Sequence, residues 1–223
     1  MENGKLIVIE GACDGIGKTT QYEILYKHLL SDGEKIVSHH FPSYGTYHGI
    51  PVEKYLSGDF GSPSELSAYF INSLYAVDRG ITWYTELRQL YDDETTILLD
   101  RYTTSSLIYQ SALIDDIDEK KEFIDYVTDF EYRRIGIKKP DNVIFLYAPF
   151  DLVTKIRNSR KENAGIVNDI HESNLEFMKK VYDSAMFVAD YLSFDKVQCN
   201  DGDKMRDKND IHEDVYRLVK SRK

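Results

Sequence analysis

A chain of 223 residues, 42% of them hydrophobic, is long enough to enclose a core and falls within the size range of one compact domain, so residues 1–223 are read as a single domain. The formal net charge of -10 argues against a grip on a nucleic-acid polymer, which needs a basic surface to displace counterions, yet it permits a small anionic ligand held by local positive charge. Two cysteines, Cys13 and Cys199, have neither metal-site spacing nor the density of a disulfide scaffold and point to a reducing, cytoplasmic setting; the apolar start Leu6 to Ile9, closed by Glu10, is too short for a signal segment or a membrane span.

Leu6 to Ile9 reads as the first strand, and Thr19 to Leu30 has apolar residues at helical spacing. A second strand is predicted at Lys35 to Val37, a long helical stretch from Leu66 to Leu90, and a third strand from Thr95 to Leu99. A helix from Lys120 to Arg134, a strand from Asn142 to Leu146 and a helix from Leu152 to Arg160 follow. Lys161 to Asn168, with Gly, Asn and charged residues, reads as a mobile loop. The pattern closes with helix His171 to Tyr191, strand Lys196 to Gln198 and helix Ile211 to Val219. Short apolar strands alternating with amphipathic helices describe an α/β fold with a parallel sheet and helices on both faces.

Chemistry concentrates first after the opening strand, in Glu10-Gly11-Ala12-Cys13-Asp14-Gly15-Ile16-Gly17-Lys18-Thr19-Thr20. A glycine-rich turn that opens a helix lets backbone N–H groups converge on phosphate oxygens. Lys18 adds a point charge at the β and γ groups, and the Thr19 hydroxyl is a magnesium ligand of the expected kind. The usual spacing has a glycine at the position of Ala12; here the glycine is Gly11, so the loop is one residue longer. A second acidic strand, Thr96-Ile97-Leu98-Leu99-Asp100, places Asp100 where a metal-side acid belongs, and Arg101 next to it is suited to hold a phosphate through two parallel hydrogen bonds. An Asp100–Arg101 surface ion pair is the plainer alternative.

These motifs in their order resemble the thymidylate kinase family over nearly the whole chain: Glu10-Gly11 through Asp14-Gly15-x-Gly17-Lys18-x-Thr20, Phe41-Pro42-x-Tyr44, Tyr75-x-x-Asp78-Arg79, and Asp100-Arg101-Tyr102-x-x-Ser105 with Tyr109-Gln110. The resemblance implies a P-loop NTPase of the nucleoside monophosphate kinase type, a three-layer α/β/α sandwich around a parallel five-stranded sheet. It implies magnesium as cofactor and transfer of phosphate from ATP to deoxythymidine monophosphate (dTMP), with no membrane partner and a homodimeric assembly. Gly11, Asp14, Gly15, Ile16, Gly17, Lys18, Thr19 and Thr20 would then hold ATP. Asp14 would also bond the sugar 3'-hydroxyl, Tyr75 would stack on thymine, Arg79 would bond the base and Arg101 the acceptor phosphate. Phe41, Pro42, Tyr44, Ser105 and Ser106 would surround the nucleotide, with Tyr109 beside the sugar disfavouring a 2'-hydroxyl.

In this family the catalytic arginine sits either in the P-loop or in a lid. No basic residue precedes Lys18 in the loop, so the resemblance implies the lid version, at about 155–170, with Arg157 and Arg160 as candidates. Asp169 and Glu172 read as a capping box in preference to an acceptor site, and His171 stands where relatives place an aromatic. Ser43 stands where many relatives have an arginine close by, and just upstream stand His39 and His40, two largely neutral imidazoles that are no obvious substitute for it. Tyr147 ends a strand where an acid is frequent. Two other classes stay open: a deoxynucleoside kinase, which needs a general base at the sugar, and a non-catalytic nucleotide-binding module. The absence of an Asn-Lys-x-Asp sequence argues against a GTPase switch.

Overall fold

The computed structural model describes residues 4–63, 65–164 and 175–221, the side chains of 159–164 excepted. Five strands, β1 (Leu6–Gly11), β2 (Ile36–His40), β3 (Thr96–Asp100), β4 (Asn142–Tyr147) and β5 (Asp195–Gln198), form a parallel sheet in the order β2-β3-β1-β4-β5, flanked by helices. Every residue of β3 and the first five of β1 are buried. That is why these segments are unbroken apolar runs, as strands covered on both faces must be. β2 pairs with β3 from Ile36↔Thr96 to His40↔Asp100, and β4 pairs with β5 from Ile144↔Asp195 to Tyr147↔Gln198. The first register sets the two strand ends that bear His40 and Asp100 side by side.

The chain divides into two compact units, residues 1–8 with 34–141, and residues 9–33 with 142–223. In the first unit, helices α2 (Ile50–Leu56), α3 (Ala68–Thr82), α4 (Arg88–Asp92), α5 (Thr103–Tyr109) and α6 (Ile117–Thr128) gather around Ile71, Leu98, Leu107 and Phe123, all essentially inaccessible. Ser67 caps α3 by accepting the Phe70 N–H at 3.1 Å, and Asp116 caps α6 by accepting from Asp118 and Glu119 at 2.9 Å. The long helix expected from Leu66 to Leu90 is interrupted: Trp83–Leu87 is a π-helical turn between α3 and α4. A second π-helical turn, Asp129–Ile135, extends α6 and ends at Gly136, whose φ of 82° is left-handed.

In the second unit, α1 (Lys18–Ser31) packs on α9 (Lys208–Ser221). Gln21 Nε2 donates to the Lys208 carbonyl at 2.8 Å, His28 and His212 share a 2.8 Å ring-nitrogen hydrogen bond, and Tyr216 donates to Asp32 at 2.6 Å. The helix α7 (Phe150–Ala164) continues through residues expected to begin a loop. The helix α8 (Leu175–Tyr191) presents Met178, Val181, Ala185 and Val188 inward at helical spacing. A two-stranded ribbon, β6 (Asn200–Asp201) and β7 (Lys204–Met205), turns at Gly202.

Candidate active site

The cradle forms where β1 ends. Gly15 and Gly17 have φ of 92° and 103°, left-handed values that L side chains rarely adopt, so the glycines are there for the turn itself. Gly11 serves close approach: a Cβ there would lie 2.7 Å from Ile16 Cγ2. The Ala12 N–H donates to the Leu146 carbonyl at 2.9 Å, anchoring the loop to β4, and Ala12, Cys13 and Ile16 are buried beneath it. Above them Gly15, Thr19 and Thr20 are exposed, with Asp14, Gly17 and Lys18 in part. Gly17 stands at the N-cap of α1, where no side-chain hydrogen bond caps the helix. Burial, with Asp14 alongside, pushes the Cys13 thiol up to about 12. Cys13 is therefore an inert packing residue rather than a nucleophile.

Arg157 on α7 packs against this loop: a Cβ on Gly15 would lie 3.5 Å from Arg157 Cβ and 3.6 Å from its Cγ. The aliphatic stem of Arg157, one of the two arginines expected in the lid, thus borders the cradle from α7. The Arg160 side chain and Asp169 to Glu172 lie outside the described residues, as does the rest of the expected loop beyond Ala164.

In the other unit, residues converge at the C-terminal end of β3 and along α3 and α5. Arg101 follows Asp100 with φ of 67°, unusual for a non-glycine residue, and its guanidinium carbon stands 5.4 Å from the centre of the Tyr109 ring. Asp100 is 9% exposed, with its Oδ2 3.1 Å from His40 Nδ1. The Phe41–Pro42 peptide is cis; Phe41 is buried on Tyr102 at 5.8 Å, whereas Tyr44 is exposed. Tyr75 stands edge-on to Tyr55 at 6.2 Å, and desolvation pushes its phenol well above the usual range. Ser105 is partly exposed and Ser106 is buried.

Arg79 is fully enclosed. Its Nε and Nη2 donate to the two oxygens of Glu131 at 2.7 Å each, and Nη2 also reaches Ser106 Oγ at 3.0 Å. Burial disfavours its charge, but the Glu131 carboxylate outweighs that and holds the guanidinium pKa above its ordinary value. Sequence reasoning missed Glu131. The available signal was its place four residues after Val127 and eight after Phe123, on the buried face of the helix.

Ser43 is buried and not poised as a phosphate ligand: its N–H donates to Asp78 Oδ2 at 2.9 Å, and its hydroxyl lies 3.2 Å from both Thr82 Oγ1 and His39 Nε2. His48 Nδ1 bonds the other Asp78 oxygen at 2.8 Å. Burial lowers the His39 pKa, disfavouring the charged ring.

Among the described residues no three His, Cys, Asp or Glu side chains cluster as a metal site of their own. The two residues expected to bind magnesium, Thr19 with a hydroxyl and Asp100 with a carboxylate, each carry a hard oxygen of the kind that ion takes alongside waters and substrate phosphates. The donor chemistry fits that ion.

The family model for thymidylate kinase matches residues 9–213. The chain belongs to the thymidylate kinase family. Relatives include a probable thymidylate kinase of Saccharolobus solfataricus, 28% identical over 222 residues and covering 96% of each chain. A thymidylate kinase of Brachyspira hyodysenteriae is 28% identical over 221 residues, 99% of this chain and 95% of the relative. A thymidylate kinase of Arabidopsis thaliana is 30% identical over 191 residues, 84% of this chain and 62% of that longer relative. The solved thymidylate kinase of Candida albicans superposes with a TM-score of 0.73 at 23% identity, covering 98% of this chain and 92% of that one, a likeness that establishes the P-loop fold. Membership makes this thymidylate kinase relative a phosphotransferase.

Proposed function

We propose that the chain phosphorylates dTMP to dTDP with ATP and magnesium, as a single kinase domain whose lid spans about 155–170. The observation that carries this reading is the cradle: two left-handed glycines, Gly15 and Gly17, lead into α1 at Lys18, with Arg157 packed against the loop. Such a helix start favours anions through its backbone N–H groups and its dipole. Gly11, Asp14 to Gly17 and Thr20 line the ATP phosphates, with Lys18 at the β and γ groups. Thr19 and Asp100 would hold magnesium, which would supply positive charge to the phosphates.

Acceptor and donor are both anions, so little covalent help is needed; the difficulty is to align like charges. Arg101 holds the acceptor phosphate, while Arg157, with Arg160 beside it in α7, shields the charge that develops on the transferred group. Tyr75 stacks on thymine and Arg79 addresses its edge. Phe41, Pro42, Tyr44, Ser105 and Ser106 frame the nucleotide, Asp14 receives the 3'-hydroxyl, and Tyr109, under the Arg101 guanidinium, closes the space at the 2' carbon. A cytoplasmic homodimer is the assembly we propose; no helix among the described residues is long and apolar enough to cross a membrane.

ADP release with ATP and magnesium, measured against dTMP, dUMP, dGMP and thymidine, tests the reading. Release that depends on dTMP and collapses in Lys18→Ala supports it. Dependence on thymidine would favour a nucleoside kinase, and nucleotide binding without acceptor-dependent release would favour a binding module.

A further inference from the structure

Helix α9 is fastened along α1, the helix that opens at the phosphate cradle. In the first turn of α1, Gln21 donates from its backbone N–H to the Gly17 carbonyl at 3.0 Å and from Nε2 to the Lys208 carbonyl at 2.8 Å, which ties the start of α9 to the start of α1. At the far end Asp32 accepts from Tyr216 at 2.6 Å and pairs with Lys220 at 3.0 Å. Between these ties lies the 2.8 Å contact of His28 Nδ1 with His212 Nε2. The two rings meet head to head. Their centres are 5.1 Å apart, close to the greatest separation that a 2.8 Å N···N contact allows, so both nitrogens lie near the line joining the centres. A contact of that length along one line has room for a shared proton and for no metal ion, whose bonds to imidazole are about 2.0 Å each.

His212 is 8% exposed, and its other nitrogen, Nδ1, is buried with no hydrogen-bond partner among the described residues. A buried N–H without an acceptor is a rarer and costlier defect than an unused lone pair, which assigns the His212 hydrogen to Nε2, donating to His28 Nδ1. His28 then carries its hydrogen on Nε2, 3.9 Å from Asp32 Oδ1. Neither ring takes a second proton without loss. A proton on His28 Nδ1 sets two N–H groups against each other, and one on His212 Nδ1 buries a charge with nothing to receive it. Burial, and then the charge of His28, lower the His212 pKa against the opposing pull of Glu213. β4 and β5, which also pack on α9, add no charge that acts on His212 among the described residues. Around His28 stand Asp32 and the Tyr216 ring, stacked at 4.0 Å, with Lys220 on Asp32. The Tyr216 and Lys220 hydrogen bonds hold the Asp32 carboxyl below its ordinary value, so it stays ionised where histidine titrates.

We infer that the His28–His212 bond is a proton-operated latch: closed, it positions the first turn of α1 through α9, and a proton on either ring opens it and loosens nucleotide binding. The nucleotide part rests on the cradle reading; the latch itself does not. Because the bond needs neutral rings, α9 is held above the ordinary histidine value of 6.5 and released as pH falls below it. Exclusion of one proton shifts the ratio of open to closed forms about tenfold at one pH unit below that value.

The test compares wild type with the double variant His28→Asn and His212→Gln, whose amide groups take the places of the two bonded ring nitrogens and do not titrate. Amide exchange in residues 208–221, corrected for the rate of the unfolded chain and referred to β3 for global opening, is read at pH 7.5 and 5.5 without ligand. Calorimetric binding of ATP with magnesium is read at the same two values, where the titration of ATP itself is common to both proteins. Wild type should exchange about tenfold faster in α9 at pH 5.5, and its affinity for ATP should fall at least about threefold further than that of the double variant, whose α9 exchange stays within about twofold. Equal protection of α9 at the two pH values in wild type overturns the latch, and needs no variant to fold. Equal loosening in a folded double variant overturns it too, since the proton would then act elsewhere. A latch that opens while ATP affinity keeps step with the double variant overturns its hold on the cradle. Wild type that binds no ATP at either pH brings down the cradle reading, and exchange alone then judges the latch.

Discussion

Gly17 and Gly33 offer a matched pair of perturbations. Both have left-handed φ, 103° and 81°, and at both a Cβ would meet nothing within 4 Å. Alanine at either site is thus penalised by backbone conformation alone, about 1–2 kcal/mol. For a chain of this size that lowers Tm by about 2–4 °C per kcal/mol. The two positions flank α1, a helix of 14 residues about 21 Å long. Relaxation of the strain at Gly17 moves the cradle N–H groups, whereas at Gly33 it moves a turn remote from phosphate. Gly17→Ala and Gly33→Ala are expected to lose similar Tm, while kcat/KM for ATP falls about 100-fold in the first and stays at wild type in the second. Melting curves and ATP titrations of the two proteins are sufficient. Equal kinetics in the pair would refute the assignment of the cradle to phosphate.

Tyr75→Leu removes the ring proposed to stack on thymine and should raise KM for dTMP about 10- to 100-fold, with KM for ATP unchanged, since base–aromatic stacking is worth about 1–3 kcal/mol. With its thiol raised from 9.0 to about 12, Cys13 has about 1,000-fold less thiolate than a free cysteine at pH 8, so native protein should react with a thiol reagent slowly and denatured protein promptly; rapid native labelling would contradict the burial. Burial lowers the His212 pKa, so the folded state prefers the neutral ring; its contribution to stability is complete above the ordinary value of 6.5 and declines as pH falls below it. Urea midpoints should therefore drop less between pH 7.5 and 5.5 in His212→Gln than in wild type, and a steeper drop in the variant would oppose this. Gly136→Ala combines a φ of 82° with a Cβ 2.9 Å from Tyr84 Oη, so it should destabilise by about 2 kcal/mol, and pairing it with Tyr84→Phe should recover part of the loss.

The inner strands β1, β3 and β4 were legible because buried parallel strands are nearly continuous apolar runs, whereas the edge strands β2 and β5 showed only short apolar pieces, at Ile36-Val37 and Val197. The short helices were not legible. The seven residues of α2 begin Ile-Pro, too brief for a period to register, and α5, Thr-Thr-Ser-Ser-Leu-Ile-Tyr, is rich in residues of low helix propensity. Packing on neighbouring elements determines both. Gly15, Gly17 and Lys18 could be read locally because the chemistry of the loop is contained in consecutive residues. For Glu131 the spacing from Phe123 and Val127 marks only a place on a buried helix face; its partner Arg79, 52 positions away, is set by tertiary structure. Ser43 shows a further limit: the missing arginine was visible, but its replacement by a buried hydrogen-bonded network with Asp78, His48, Thr82 and His39 depends on tertiary contacts.

The central claim is that phosphate passes from ATP to dTMP on this chain, and the direct measurement is the fate of the label from [γ-32P]ATP with magnesium and dTMP. Label appearing in dTDP, and absent in Lys18→Ala, is the predicted result. Label released only as inorganic phosphate, or entering dTMP in a parallel reaction with thymidine but never dTDP in the reaction with dTMP, would contradict the account.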